Sequence, residues 1–131
     1  MQNKLKLTRD ESGDIGFVKS TLIAEAITLK EFNNWVIFII NNHPIDELPI
    51  YIFDLIDFKG YLCDLTNIIG FVPYSGLNDN ENYALYGIAL KRFGKIVDCP
   101  ISYQCALDAL NNNPQVLIRF KETFPFIELD F

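Results

Sequence analysis

Residues 28–42, TLKEFNNWVIFIINN, constrain the fold more than any other part of this sequence. Thr28 and Glu31 have the spacing of a capping box, in which each side chain accepts a hydrogen bond from the other residue's backbone N–H. Apolar residues then recur at the three- and four-residue spacing of one helical face: Leu29, Phe32, Trp35, Val36, Ile39 and Ile40. Because Ile37 and Phe38 carry apolar surface to the other side, we predict a central helix at residues 29–42 that neighbours bury on several sides.

Helical patterns also cover most of the remaining chain. We predict helices at residues 17–27, 46–58, 61–72 and 81–93, and two more that begin after Ser102 and after an Asn113 N-cap. Asn78 with Glu81 resembles a second capping box, whereas Gly70 and Gly94 suit helix C-termini. These segments predict an all-α fold: one compact domain of residues 1–131 around the central helix, with residues 1–14 as a loosely ordered arm. The alternative is an α+β fold with a small sheet built from residues 4–7, 15–18 and 126–131.

Cysteine spacing and hydropathy indicate the compartment. The three cysteines, Cys63, Cys99 and Cys105, are odd in number and have no C-x-x-C spacing, so we expect reduced, mostly buried thiols. The unbroken apolar run of the central helix, residues 35–40, is far shorter than the roughly 20 residues that span a bilayer. The N-terminal residues contain no apolar signal segment. We therefore expect a cytoplasmic protein with no membrane partner.

Acidic charge is concentrated in the middle of the chain. The net charge is −6, which argues against nucleic acid as a direct partner. Residues 31–90 hold eight acidic side chains and one basic one, Lys59, whereas the two flanking regions are nearly neutral. A solvated surface normally mixes both signs of charge. This asymmetry is the most unusual feature of the sequence.

Catalytic and cofactor patterns are weak throughout. The single histidine, His43, has no second histidine for a zinc site and matches no catalytic spacing, so we expect a structural or surface role. Asp54, Asp57 and Asp64 could hold a divalent metal, which leaves a small metal-dependent hydrolase as an alternative. No glycine-rich nucleotide loop accompanies them. We predict that the chain is not an enzyme and that it has neither a cofactor nor a metal.

The acidic middle of the chain favours an inhibitor that binds a basic protein. A nuclease attracts phosphate with Lys and Arg, and an acidic protein can occupy that surface with carboxylates. Nearby tyrosines would add the aromatic anchors that interfaces favour. The candidate partner-binding residues are Asp46, Glu47, Tyr51, Asp54, Asp57, Tyr61, Asp64, Tyr74, Asp79 and Glu81.

In its length, acidity, aromatic content and helical character, the whole chain resembles the bacterial immunity proteins, such as those of contact-dependent growth inhibition systems. The resemblance implies a cognate toxin domain, commonly a nuclease, that is held inactive in the cytoplasm of its producer. It carries over no individual residue. A non-enzymatic adaptor subunit is the other alternative, and we expect a monomer or a weak dimer.

Overall fold

A computed structural model describes residues 5–131, and every regular element in them is helical. The helices are α1 (Gly13–Ile23), α2 (Leu29–Asn42), α3 (Tyr51–Asp54), α4 (Leu62–Ile69), α5 (Asp79–Phe93), α6 (Tyr103–Asn112) and α7 (Pro114–Thr123), with a 3-10 helix at Ile45–Glu47. The predicted all-α class is thus confirmed for the described residues. The alternative terminal sheet is wrong there, because residues 15–18 lie in α1 and residues 5–7 and 126–131 form no strand. Lys4, its remaining member, lies outside the described residues.

The contacts of the chain divide it into two compact units. The described part of the first unit is residues 5–19 and 28–76, and the second unit is residues 20–27 and 77–131. The single domain expected for residues 1–131 stays a prediction. Within residues 5–131, no helix has the combination of length and apolar character that crossing a bilayer requires.

Helix α2 has the predicted bounds and the predicted cap. Glu31 N donates to Thr28 Oγ1 at 3.1 Å, and Thr28 N donates to Glu31 Oε1 at 2.8 Å. One face is buried by Phe32, Trp35, Val36 and Ile39, whereas Ile37 is 43% exposed. The expectation of burial on several sides is therefore too broad. The repeat of the sequence specifies one buried face, and the apolar residues outside that repeat meet solvent.

The predicted helix at residues 46–58 is wrong in its extent. The structure has the short 3-10 helix, then an extended Leu48, then the single turn of α3. Pro49 explains the break, because proline disfavours the helical region for the residue before it and has no N–H to continue the ladder. Asn33 Nδ2 donates to the carbonyls of Leu55 and Phe58, at 3.1 and 3.4 Å, and so ties the chain after α3 to α2.

Helix α1 begins and ends four residues earlier than the predicted helix at residues 17–27. Its Gly16 lies against backbone: a Cβ there would come within 2.6 Å of both Ser75 N and Tyr74 C. Tyr74 N also donates to the buried Ser12 Oγ at 2.8 Å. Gly16 thus allows α1 to approach the extended chain after α4 more closely than any side chain would permit.

The predicted caps of the later helices are mostly confirmed. Gly70 and Gly94 close α4 and α5 with φ of 91° and 76°, and Asn78 forms the capping box with Glu81. Ser102 caps α6. Asn113 is an exception: it precedes α7 but makes no side-chain cap, and its Oδ1 accepts instead from the Gln115 side-chain Nε2 at 3.3 Å.

The second unit is organised around α5. A Cβ at Gly87 would lie 2.5 Å from the carbonyl oxygen of Ala106 and 2.8 Å from Leu110 Cβ, so the α5 backbone lies directly on α6. At the far end of the chain, the buried rings of Phe120 and Phe124 pack 4.9 Å apart. The first turns of α5 are partly exposed.

Candidate functional site

The strongest candidate surface is residues 45–62 of the first unit, which we call the acidic–apolar segment. It follows the end of α2, where His43 Nδ1 lies 3.0 Å from the Ile39 carbonyl oxygen. Two prolines then divide the chain into the short helical turns described above. The 3-10 helix buries none of its side chains, whereas α3 buries Tyr51 and Ile52 and leaves Asp54 exposed.

The carboxylates of the acidic–apolar segment are solvent-exposed. They belong to Asp46, Glu47, Asp54 and Asp57, and the segment has one basic residue, Lys59, which is also exposed. Asp46 and Glu47 lie on the 3-10 helix, Asp54 ends α3, and Asp57 lies in the turn that follows. The structure therefore places four of the predicted partner-binding carboxylates within a single solvent-facing stretch of chain.

Large apolar side chains are also exposed in the acidic–apolar segment. Ile50 is 83% exposed and Tyr61 is 81% exposed, and Ile45, Ile56 and Leu62 are exposed as well. Such residues contribute little to the folding of the unit that carries them. Apolar side chains set among charges of one sign are typical of surfaces that bind other proteins. The isoleucines were not predicted as site residues, because the sequence analysis chose only acidic residues and tyrosines for the site.

Tyr51 is a correction to the predicted site. Its ring is buried, its hydroxyl donates to the carbonyl of Leu7, and the Phe71 ring packs edge-on at 6.1 Å. Burial raises the pKa of the Tyr51 phenol well above its ordinary value. Tyr51 therefore joins the described start of the chain to α3 and presents no surface to a partner.

Asp64 has a capping role. Its Oδ2 accepts from Tyr61 N at 3.2 Å at the start of α4. Among the described residues, no three His, Cys, Asp or Glu side chains lie close enough together to hold a metal ion, so Asp54, Asp57 and Asp64 do not form such a group. The carboxylate of Asp64 stabilises α4.

Tyr74 is exposed on an extended segment that the N-terminal part of the first unit holds in place. Tyr74 is 73% exposed and Val72 is 76% exposed. Arg9 donates to the Gly70 carbonyl oxygen at 2.8 Å, and its guanidinium lies 5.5 Å from the centre of the Phe71 ring. The Arg9 contacts, together with those of Ser12 and Gly16, fix the backbone of the extended segment after α4, whereas the Tyr74 ring remains accessible.

Asp79 and Glu81, the last two predicted residues, belong to the second unit. Glu81 accepts from Asn78 N at 3.1 Å and from Gln115 Nε2 at 3.3 Å, so its carboxylate serves the start of α5. Asp79 is exposed at the first position of the same helix. Neither residue lies in the acidic–apolar segment.

A groove of about 310 Å³ lies along α5 within the second unit, and we call it the α5 groove. Four lining residues, Asp79, Asn82, Tyr83 and Tyr86, follow the i, i+3, i+4, i+7 spacing of one helical face. The other lining residues are Ser20, Ile23, Ala24, Leu85 and Pro100. Sequence patterns missed this groove, since residues distant from α5 in sequence, at positions 20–24 and 100, complete it.

Glu25 supports one side of the α5 groove. It has a φ of 62°, in the left-handed region, and its carboxylate accepts from Val97 N and Asp98 N at 3.2 Å. These bonds hold the chain that leads to Pro100. Burial raises the pKa of Tyr86, and electrostatic interactions with the neighbouring Cys99, Asp98 and Glu25 raise it further.

A second cavity, of about 510 Å³, is lined by Lys91, Arg92, Phe93 and residues 128–131. Its basic residues are balanced by Glu128 and Asp130, so it favours no ligand charge of either sign.

The cysteines are free, as predicted, but Cys63 and Cys105 are exposed and Cys99 is half-buried, so the expectation of buried thiols is wrong.

No protein-family model, curated protein or solved structure matches this chain.

Proposed function

We propose that this protein binds and neutralises a basic effector domain, in the manner of the immunity proteins that the sequence resembles. The observation that carries the proposal is the acidic–apolar segment, where four exposed carboxylates alternate with five exposed large apolar side chains. Carboxylates speed and orient the approach of a basic surface, and apolar side chains supply the contact area that is desolvated on binding. A nuclease domain is the proposed partner, because its substrate face must be basic.

The outer residues of this surface are Asp46, Glu47, Asp54 and Asp57, with Tyr61 and Ile50 as apolar anchors. Tyr74 provides a further exposed ring in the same unit. Activity by binding requires no cofactor and no catalytic group in this chain. The proposed setting is the cytoplasm of the cell that makes the toxin.

The direct test is calorimetric titration of this chain with the C-terminal domain of the protein encoded immediately upstream. We expect tight binding that weakens at high salt, because screening reduces the electrostatic attraction. Cells that express the upstream domain should survive when this chain is co-expressed. Binding without any toxicity to rescue would favour the adaptor alternative, and absence of binding would contradict the proposal for that pair.

Charge reversal identifies the surface. The double variant Asp54→Lys and Asp57→Lys should fold normally, since both residues are exposed, and should slow association on the order of tenfold. The matched control is Asp108→Lys with Glu122→Lys, which makes the same charge change at exposed positions of α6 and α7. Equal effects of the two double variants would show that only net charge matters.

Apolar truncation tests the anchors independently of charge. Ile50→Ala should leave the unfolding midpoint unchanged and raise the Kd on the order of tenfold, mainly through faster dissociation. An unchanged Kd would remove Ile50 from the interface.

A further inference from the structure

We propose that the α5 groove binds an arginine side chain presented by a partner protein, with the guanidinium against the Tyr83 and Tyr86 rings and paired with the Asp79 carboxylate. The site belongs to the second unit and does not depend on the acidic–apolar segment. It would give the chain a second recognition element with its own side-chain selectivity.

The size of the groove suits one side chain better than a larger ligand. Its volume of about 310 Å³ is at the lower end of the range of small-molecule sites. Ile23 and Pro100 are both exposed and both line the groove, so it offers apolar surface to the methylene groups of a long side chain. The groove is open to solvent, so the rest of the ligand can remain outside.

The charges of the groove select a cation. Among the described residues that line it, Asp79 is the one charged residue, and none is a lysine or an arginine. Glu25 and Asp98 add negative charge beside Tyr86. The positive end of the α5 dipole does not reverse this preference, because Asp79 and Glu81 both lie in the first turn of that helix.

The aromatic residues favour guanidinium over ammonium. Tyr83 and Tyr86 are both partly exposed and lie three residues apart on α5, so both can offer ring surface to the groove. A planar guanidinium stacks on such rings and can form a two-pronged hydrogen-bonded pair with a carboxylate, which an ammonium group cannot. Asn82 and Ser20 add neutral polar groups to the lining.

The geometry of the groove is held by contacts that the ligand does not need to make. Glu25 fixes the chain before Pro100 through the Val97 and Asp98 amides. The Asn78–Glu81 capping box fixes the first turn of α5, which carries Asp79. A preformed site loses less conformational entropy when a side chain enters it.

The experiment uses the full chain labelled with ¹⁵N and the blocked peptide acetyl-Gly-Arg-Gly-amide, with the citrulline peptide as its neutral counterpart. We expect amide shifts confined to residues 20–25, 79–86 and 97–101, with a Kd on the order of 1–10 mM for this single side chain. The citrulline peptide and a lysine peptide should bind more weakly, the former by at least roughly fivefold. Equal binding of arginine and citrulline peptides, or shifts outside these residues, would overturn the proposal.

Two variants test the assigned residues. Asp79→Asn and Tyr83→Leu should each weaken arginine-peptide binding roughly three- to tenfold. The control Asp108→Asn, an exposed carboxylate of α6 outside the groove, should not change it. If Asp79→Asn and Asp108→Asn have equal effects, the attraction is non-specific and the site is wrong. The Asp54→Lys and Asp57→Lys variant should bind the peptide normally, so failure of the proposed function and failure of this site are distinguishable.

Discussion

Glu25 carries two opposing contributions to stability that substitutions can separate. Outside glycine, it is the one residue of the described chain with a left-handed backbone, and its φ is 62°. That conformation costs a residue with a side chain about 1 kcal/mol more than it costs glycine. Against this, the carboxylate accepts from Val97 N and Asp98 N at 3.2 Å, which we value at about 1.5 kcal/mol in total because both donors belong to exposed residues.

These magnitudes predict that the Glu25→Gly variant is more stable than the Glu25→Ala variant, which is the opposite of the order that helix propensity gives. Glu25→Ala loses the hydrogen bonds and keeps the strained backbone, so it should be less stable than the wild type by about 1.5 kcal/mol. Glu25→Gly loses the same bonds but relieves the strain, so it should lose only about 0.5 kcal/mol. Glycine should therefore be better than alanine here by about 1 kcal/mol.

Urea unfolding followed by circular dichroism and by Trp35 fluorescence measures these differences, provided that the two transitions coincide and the m-value is unchanged. Asp108, exposed in the middle of α6, provides the control, because there alanine should be more stable than glycine by about 1 kcal/mol. An alanine variant at position 25 as stable as the glycine variant would refute the backbone argument. If Glu25→Ala and Glu25→Gly are both as stable as the wild type, the Glu25 carboxylate does not stabilise residues 97–98.

Three further changes test the packing described above. Gly87→Ala should destabilise the protein by about 1–2 kcal/mol, because the new methyl group meets the Ala106 carbonyl, although alanine has the better helix propensity. A raised urea midpoint would contradict this prediction. Tyr51→Phe should lose about 1 kcal/mol near neutral pH. Because the pKa of Tyr51 is raised by folding, the folded protein keeps a proton that the unfolded chain releases above pH 10.0, and the stability of the wild type should fall above that pH. The fall should be smaller in Tyr51→Phe, and urea unfolding between about pH 8 and 11 will measure it. Thr28→Ala should lose about 1 kcal/mol and lower the thermal midpoint; an unchanged midpoint would show that the capping box contributes little.

Features that depend on neighbours in the sequence were predictable. The Thr28–Glu31 and Asn78–Glu81 boxes and the Gly70 and Gly94 C-caps involve residues within one turn of a helix end. Such signals need no knowledge of the tertiary structure, because both partners of each hydrogen bond are close in the chain. The exposure of Asp46, Asp54 and Asp57 was also predictable, since unpartnered carboxylates are rarely buried.

Other features required the three-dimensional arrangement. Tyr51 matched the pattern of an interface residue, but its burial depends on Leu7 and Phe71, which are distant in sequence. The predicted long helix at residues 46–58 failed because Pro49 outweighed an apolar repeat that otherwise suited a helix.

The amino-acid sequence by itself determined the helical class, the bounds of α2, several helix caps and the position of the acidic charge along the chain. Tertiary structure decided which apolar residues remain outside the core, among them Ile50 and Ile56, and that Ile23 and Pro100 complete a groove with the tyrosines of α5. The physical reason is that helix formation and capping depend on residues a few positions apart. Burial and cavity shape depend on which distant segments pack together, and that packing has no local signal.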